Sequence, residues 1–191
     1  MTHSIPKIFK VLFTLYLLIL IPGFWMSYGP THFLWLSHII LLMTYFATLF
    51  ESKFLASMAS VGYLPYAIGW TLDFLYTLVS PVPGFTEYML NVNTPLGLRA
   101  LSLFHAALIP LLLWLTRRLG YDARAWPFQI SAFTLLLFLT WALSSPYENI
   151  NLAYGYLELG WKPLPYLVLL SFLNALAILA THAWLLHGNK E

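Results

Sequence analysis

Six mostly apolar stretches, separated by short polar connections, set the plan of this chain, and they run over about residues 8–25, 33–50, 54–79, 97–114, 127–142 and 163–186. At 1.5 Å per residue these lengths suit a hydrocarbon core about 30 Å thick. The pattern predicts an all-α integral membrane bundle of six transmembrane helices, a single polytopic membrane domain over residues 1–191. The first stretch follows the basic segment MTHSIPKIFK and ends in Pro22, Trp25 and Tyr28. That ending lacks the small-x-small pattern of a cleavage site, so the stretch reads as an uncleaved first span.

The third stretch, FLASMASVGYLPYAIGWTLDFLYTLV, differs from the rest. Ala56, Ser57, Ala59, Ser60, Gly62 and Gly69 allow neighbouring backbones to approach closely, as helix interfaces within membranes favour. Pro65 removes one backbone hydrogen bond and predicts a kink. Asp73 places a carboxylate in an otherwise apolar second half, and such a group in lipid needs a partner or a task. These features make the third span the expected centre of the bundle.

Composition agrees with the pattern. Hydrophobic residues make up 60% and charged residues 8%, against about 25% charged in a soluble domain; mean hydropathy is +0.76. The net charge of +2 is too small and dispersed for a nucleic-acid surface. With no cysteine, disulfides, thiolate ligands and a cysteine nucleophile are all excluded.

Charge asymmetry supplies an orientation. Lys7, Lys10, Lys53, Arg117, Arg118, Arg124 and Lys190 fall on one side of the six-span plan, and only Arg99 and Lys162 on the other. The positive-inside rule therefore puts both termini in the cytoplasm and the connections at 80–96 and 144–162 outside. Trp25, Trp35, Trp70, Trp141 and Trp161 lie towards the outer ends of their spans, and Trp114, Trp126 and Trp184 towards the inner ends, an aromatic belt at each interface. No internal repeat of the transporter kind stands out.

Counting residues down each span brings candidate chemistry to one depth. Asp73 falls about 9 Å below the outer end of its helix, His38 about 8 Å and His105 about 12 Å. Arg99 enters from above on the span that carries His105, within expected reach of Asp73, with Ser102 on the same face. One expectation is an Asp73–Arg99 ion pair locking the third span to the fourth. Another is a catalytic set: His105 or His38 as general base, Asp73 orienting it and Arg99 holding an anionic group. His38, His105 and Asp73 could also form a two-histidine, one-carboxylate metal set. They come from three helices without a paired spacing such as HxxxH, so no metal is expected and the cofactor stays unassigned.

The connection SSPYENINLAYG offers Asn149 and Asn151 beside Glu148 as amide contacts to a substrate, or simply as turn residues before the last span. A further part of that connection carries Glu158. On the sixth span Ser171, Asn174 and His182 share a face, and His182 is expected to make a hydrogen bond between helix ends near Glu51. Nucleophile elbows, Walker loops, HExxH and glycine-rich dinucleotide loops are absent.

The segments LFESKFLASMASVGYLPYAIGWTLDFL (49–75), GLRALSLFHAALIPLLLW (97–114), LGYDARAW (119–126), NINLAYG (149–155) and THAWLL (181–186) carry a resemblance. The chain resembles a family of small multi-pass bacterial proteins labelled only as membrane-associated protein. The resemblance implies a bacterial inner-membrane location and assigns no chemistry.

Three functional classes are compatible with these residues. The first is a membrane-embedded enzyme or binding site acting on a lipid or lipid-linked head group from the outer face. The second is a small solute or proton-coupled transporter or channel, and the third a structural subunit of a membrane complex. The expected partners are the lipid bilayer and a lipid or small-molecule ligand, not nucleic acid.

Overall fold

The computed structural model describes residues 4–80, 82, 84–155 and 162–188, so Glu158, Trp161 and Lys190 lie outside the described residues. The elements are helical: α1 (Lys7–Tyr28), α2 (Leu36–Leu49), α3 (Lys53–Val79), α4 (Leu96–Ser102), α5 (Phe104–Leu119), α6 (Ala125–Leu143) and α7 (Pro163–Gly188). Among the described residues three short 3₁₀ turns, Pro30–Leu34, Glu87–Met89 and Ile150–Leu152, punctuate the connections, and there is no strand.

Among the described residues four helical segments are long and apolar enough to cross a membrane: Lys7–Tyr28, Leu96–Leu119, Ala125–Leu143 and Pro163–Gly188. Their outward faces carry exposed Ile8, Leu12, Leu18, Leu135, Val168 and Phe172, surface that suits lipid rather than water. The other two expected spans differ for separate reasons. α2 is apolar but has only 14 residues, because the chain before it is a 3₁₀ turn rather than the start of a helix at 33. α3 has ample length at 27 residues, yet its serines, glycines, tyrosines and Asp73 keep it outside the strongly apolar group.

The burial of α3 explains that composition. Every residue from Ala56 to Leu64 is buried, all the way round the helix, because α3 packs against α2, α5, α6 and α7. A helix enclosed by other helices meets no lipid along that stretch, so small and hydroxylated residues are tolerated where close packing and hydrogen bonds satisfy them. Gly62 shows how close the approach is: a Cβ there would collide with the buried Gln129 amide of α6. Ser60 Oγ lies 2.8 Å from Thr116 Oγ1 and ties α3 to α5. The helix continues unbroken through Pro65.

The fourth expected span departs from a plain helix in two ways. It breaks at Leu103, between α4 and α5, and it runs on to Leu119, which places Arg117 and Arg118 in the last helical turn instead of a loop. At the end of the bundle that holds the chain termini, the terminal end, charged groups are spent on ties. Lys10 Nζ meets Glu51 Oε1 at 2.7 Å, Arg118 Nη2 donates to Ser4 O at 2.7 Å, and Asp122 pairs with Arg124 at 2.8 Å. The Ser57 hydroxyl accepts from Asp122 N at 2.8 Å, fastening the α5–α6 connection onto α3.

Candidate functional site

At the opposite end, where residues 84–95 and 144–155 lie, the helices part around a cavity of about 540 Å³. Its walls are mainly apolar and it is partly open. Asp73 from α3, His38 from α2 and His105 from α5 all line it, together with His32, Tyr88 and Ser102. Three elements thus deliver the three side chains at one level. Below them, buried Leu41 and Leu108, three residues further along α2 and α5, and Leu64, nine residues back along α3, fill the core.

His38 is 3% exposed, and neither of its ring nitrogens has a hydrogen-bond partner. Instead the ring sits in an aromatic box, edge-on to Phe24 (5.1 Å between ring centroids), His32 (4.9 Å), Phe33 (5.4 Å) and Phe104 (5.4 Å). A buried polar group left unpaired costs about 1–3 kcal/mol, so an unsatisfied imidazole in a cavity wall calls for a polar occupant. His105 is arranged differently. It stacks on Trp70 at 4.6 Å and on Phe104 at 4.1 Å, and its Nδ1 lies 2.7 Å from Ser102 O. A carbonyl oxygen only accepts, so Nδ1 carries the proton, and in the neutral ring Nε2 keeps its lone pair.

Asp73 serves the roof of the cavity. Its Oδ2 accepts from Thr86 N at 2.8 Å and from Thr86 Oγ1 at 2.7 Å, and Thr77 Oγ1, 3.1 Å from Thr86 Oγ1, completes the cluster. Gly84 fits against the same carboxylate so tightly that a Cβ would lie 2.5 Å from Oδ1. The expected Asp73–Arg99 ion pair does not form. Arg99 Nη1 donates to Met89 O at 3.4 Å, its buried Nε is unpartnered, and it is not among the residues lining the cavity. The reason is local: the Glu87–Met89 turn lies against α4 and captures the guanidinium, while the returning loop brings Thr86 to Asp73 first.

Asn149 and Asn151 do not line the cavity either. Asn151 Oδ1 accepts from Leu36 N at 2.8 Å and so satisfies the first turn of α2, while its Nδ2 donates to Leu34 O at 2.7 Å. Asn149 donates to Gly155 O at 2.9 Å and accepts from Tyr154 N at 3.0 Å. Both adopt left-handed backbone, φ 40° and 53°, which asparagine tolerates. Between them they hold Leu152, which lines the cavity, at φ 56°, a conformation that costs a non-glycine residue about 1–2 kcal/mol. The asparagines therefore shape the cavity wall through backbone and spend their amides doing so.

Several lining residues carried no sequence signal as site residues. His32 stacks on Tyr28 at 4.6 Å and on Phe24 at 5.2 Å, and it reaches the cavity only because the Pro30–Leu34 turn folds inward. Tyr88 accepts from Trp70 Nε1 at 3.3 Å, and burial pushes its phenol up, so the hydroxyl stays protonated. Elsewhere, His182 Nδ1 meets Tyr121 Oη at 2.5 Å rather than Glu51. On the same helix Asn174 Nδ2 donates to Leu170 O at 2.6 Å. Among the described residues no group of three or more His, Asp or Glu side chains is placed to hold a metal ion. No family model, curated protein or solved structure matches the chain.

Proposed function

We propose that this protein binds, and acts on, the polar head of a lipid or lipid-linked molecule that enters the cavity from the outer face of a bacterial inner membrane. In this reading the six expected helices span the membrane with both termini cytoplasmic, which rests on the excess of Lys and Arg at the terminal end. The bacterial setting rests on the family resemblance. The observation that carries the functional reading is His38, an imidazole buried in a cavity wall with both nitrogens unpaired.

The wall chemistry narrows the head group. Among the described lining residues there is a carboxylate, Asp73, and no Lys or Arg, so a neutral or cationic head rich in hydrogen-bond donors suits it better than a bare anion. His38 and the lone pair on His105 Nε2 would accept from such donors, and His105 is the side chain placed to act as a general base. Asp73 holds Thr86 over the cavity and lines its wall. The packed Leu41, Leu64 and Leu108 beneath the cavity weigh against a transport path through the bundle.

Purification of the protein with its native lipids, followed by mass spectrometry of the bound species, tests this. His38→Phe should lose the bound species while the protein stays folded, and retention of the same species at the same stoichiometry would overturn the reading. Orientation is tested separately, since the chain has no native cysteine. Tyr147→Cys, at an exposed position, should react with an impermeant maleimide added to intact cells, and Arg124→Cys should not.

A further inference from the structure

A second concavity adjoins the first. A groove of about 310 Å³ runs between α1 and the α4–α5 segment, lined by Phe13, Tyr16, Ala100, Leu103, Phe104 and Ala107 among others. Its sole polar side chain, Tyr16, is already engaged, donating its hydroxyl to Leu101 O at 2.7 Å. Nothing on these walls is left to hydrogen-bond with a ligand. From Ala100 to Leu111 the groove follows twelve residues of chain, whose eleven steps span about 16 Å at helical rise, just over half of a hydrocarbon core about 30 Å thick. Ala100 and Ala107 leave the space that larger residues would close, and both are exposed on the side of the bundle.

Phe104 joins the two spaces. It lines the groove, yet its ring is 4.1 Å from that of His105 and 5.4 Å from that of His38, both of which face the cavity. One aromatic ring thus separates the unpaired imidazole from a hydrocarbon-lined channel. The helix breaks at Leu103, immediately before Phe104.

We propose that the occupant is a membrane amphiphile held in two parts, its head in the cavity against His38 and His105 and one acyl chain in the α1–α5 groove, with Phe104 as the shared wall. This rests on the head-group reading above. The groove supplies affinity for chain length, and the cavity supplies selectivity for the head.

The test pairs a groove-filling variant, Ala107→Trp, with the cavity variant His38→Phe, each purified with native lipids and compared by mass spectrometry of the bound species. The expected result is that each variant loses the bound amphiphile at least tenfold. If His38→Phe loses it and Ala107→Trp keeps it, the groove assignment is overturned while the head-group reading stands. If Ala107→Trp loses it and His38→Phe keeps it, the groove holds an annular lipid only, and both are overturned. Retention by both overturns both. Photolabelling of the wild-type protein covers the case in which Ala107→Trp does not fold. Phosphatidylethanolamine bearing a diazirine at the end of one acyl chain should label Phe13, Leu108 and Leu111, and label spread evenly onto the exposed α7 residues Val168 and Phe172 would overturn the groove assignment.

Discussion

The two ends of this bundle use the same kinds of residue to opposite effect. At the terminal end each described acidic group has a partner: Lys10 with Glu51, Asp122 with Arg124, while His182 meets Tyr121. At the long-loop end His38 has none, Arg99 keeps an unpaired buried nitrogen, and a cavity remains where side chains could have filled it. Gln129 Oε1, packed beside Gly62 in the closed half, is also buried without a partner, so what sets the long-loop end apart is that its unpaired imidazole faces a cavity. Asp73 belongs partly to both: it is hydrogen-bonded like the groups below, but what it fastens is the roof of the cavity.

The largest effect expected from a single change lies in the closed half. Gly62→Leu would drive a side chain into Gln129, and overpacking of this kind costs about 1–3 kcal/mol or more. Thermal unfolding should show the loss, with the identity of any bound lipid unchanged in whatever protein folds. Next comes Asp73→Ala, which removes two charge-assisted hydrogen bonds to Thr86 and should cost about 2 kcal/mol while exposing the 80–95 loop to protease. Arg99→Ala should have a smaller effect on that loop; an equal effect would mean that the two residues act as a pair after all.

His38→Phe should move stability in the other direction, by about 1 kcal/mol, because it removes an unpaired buried polar group from an aromatic box. A variant more stable but empty of ligand would sharpen the contrast between the ends. One less stable than wild type would break it. The smallest effect concerns acid. The hydrogen bond from Lys10 holds the Glu51 carboxyl below its usual range, and Arg124 beside Asp122 holds that carboxyl down at about 2. Both folded values lie below the unfolded ones, so their contribution is present above the ordinary carboxylate range and is lost as pH falls, for Asp122 between about 4 and 2. Unfolding monitored across that window should show a slight decline at the terminal end, smaller still in Lys10→Met, since both groups lie near the surface.

Much of the helix plan could be read from hydropathy alone, since apolar length translates directly into helices of membrane-spanning size. Residue counting also set His38, His105 and Asp73 at one depth, because each is fixed by its own helix at 1.5 Å per residue. Partner choice was not legible. The sequence offers Arg99 as the charge complement of Asp73, and only the fold brings Thr86 to the carboxylate and Arg99 to Met89 O instead. Asn149 and Asn151 suit a binding loop and a structural turn equally by composition; their left-handed backbone and hydrogen bonds to Leu36, Tyr154 and Gly155 decide for the turn. Nothing local in the sequence announces that a 3₁₀ turn carries His32 into the cavity wall.

The sequence by itself determined that the chain is an all-helical bundle with strongly apolar helices, that α3 is made of residues fit for its centre, and that a few polar side chains share a level near one end. These follow from periodicity, residue size and rise per residue, which are local. The tertiary structure alone decided that the level holds a cavity rather than a packed ion pair, that His38 is left unpaired in its wall, and that Phe104 divides it from an apolar groove. Those outcomes depend on how loops return and where a helix breaks, and they are set by contacts between residues far apart in the chain.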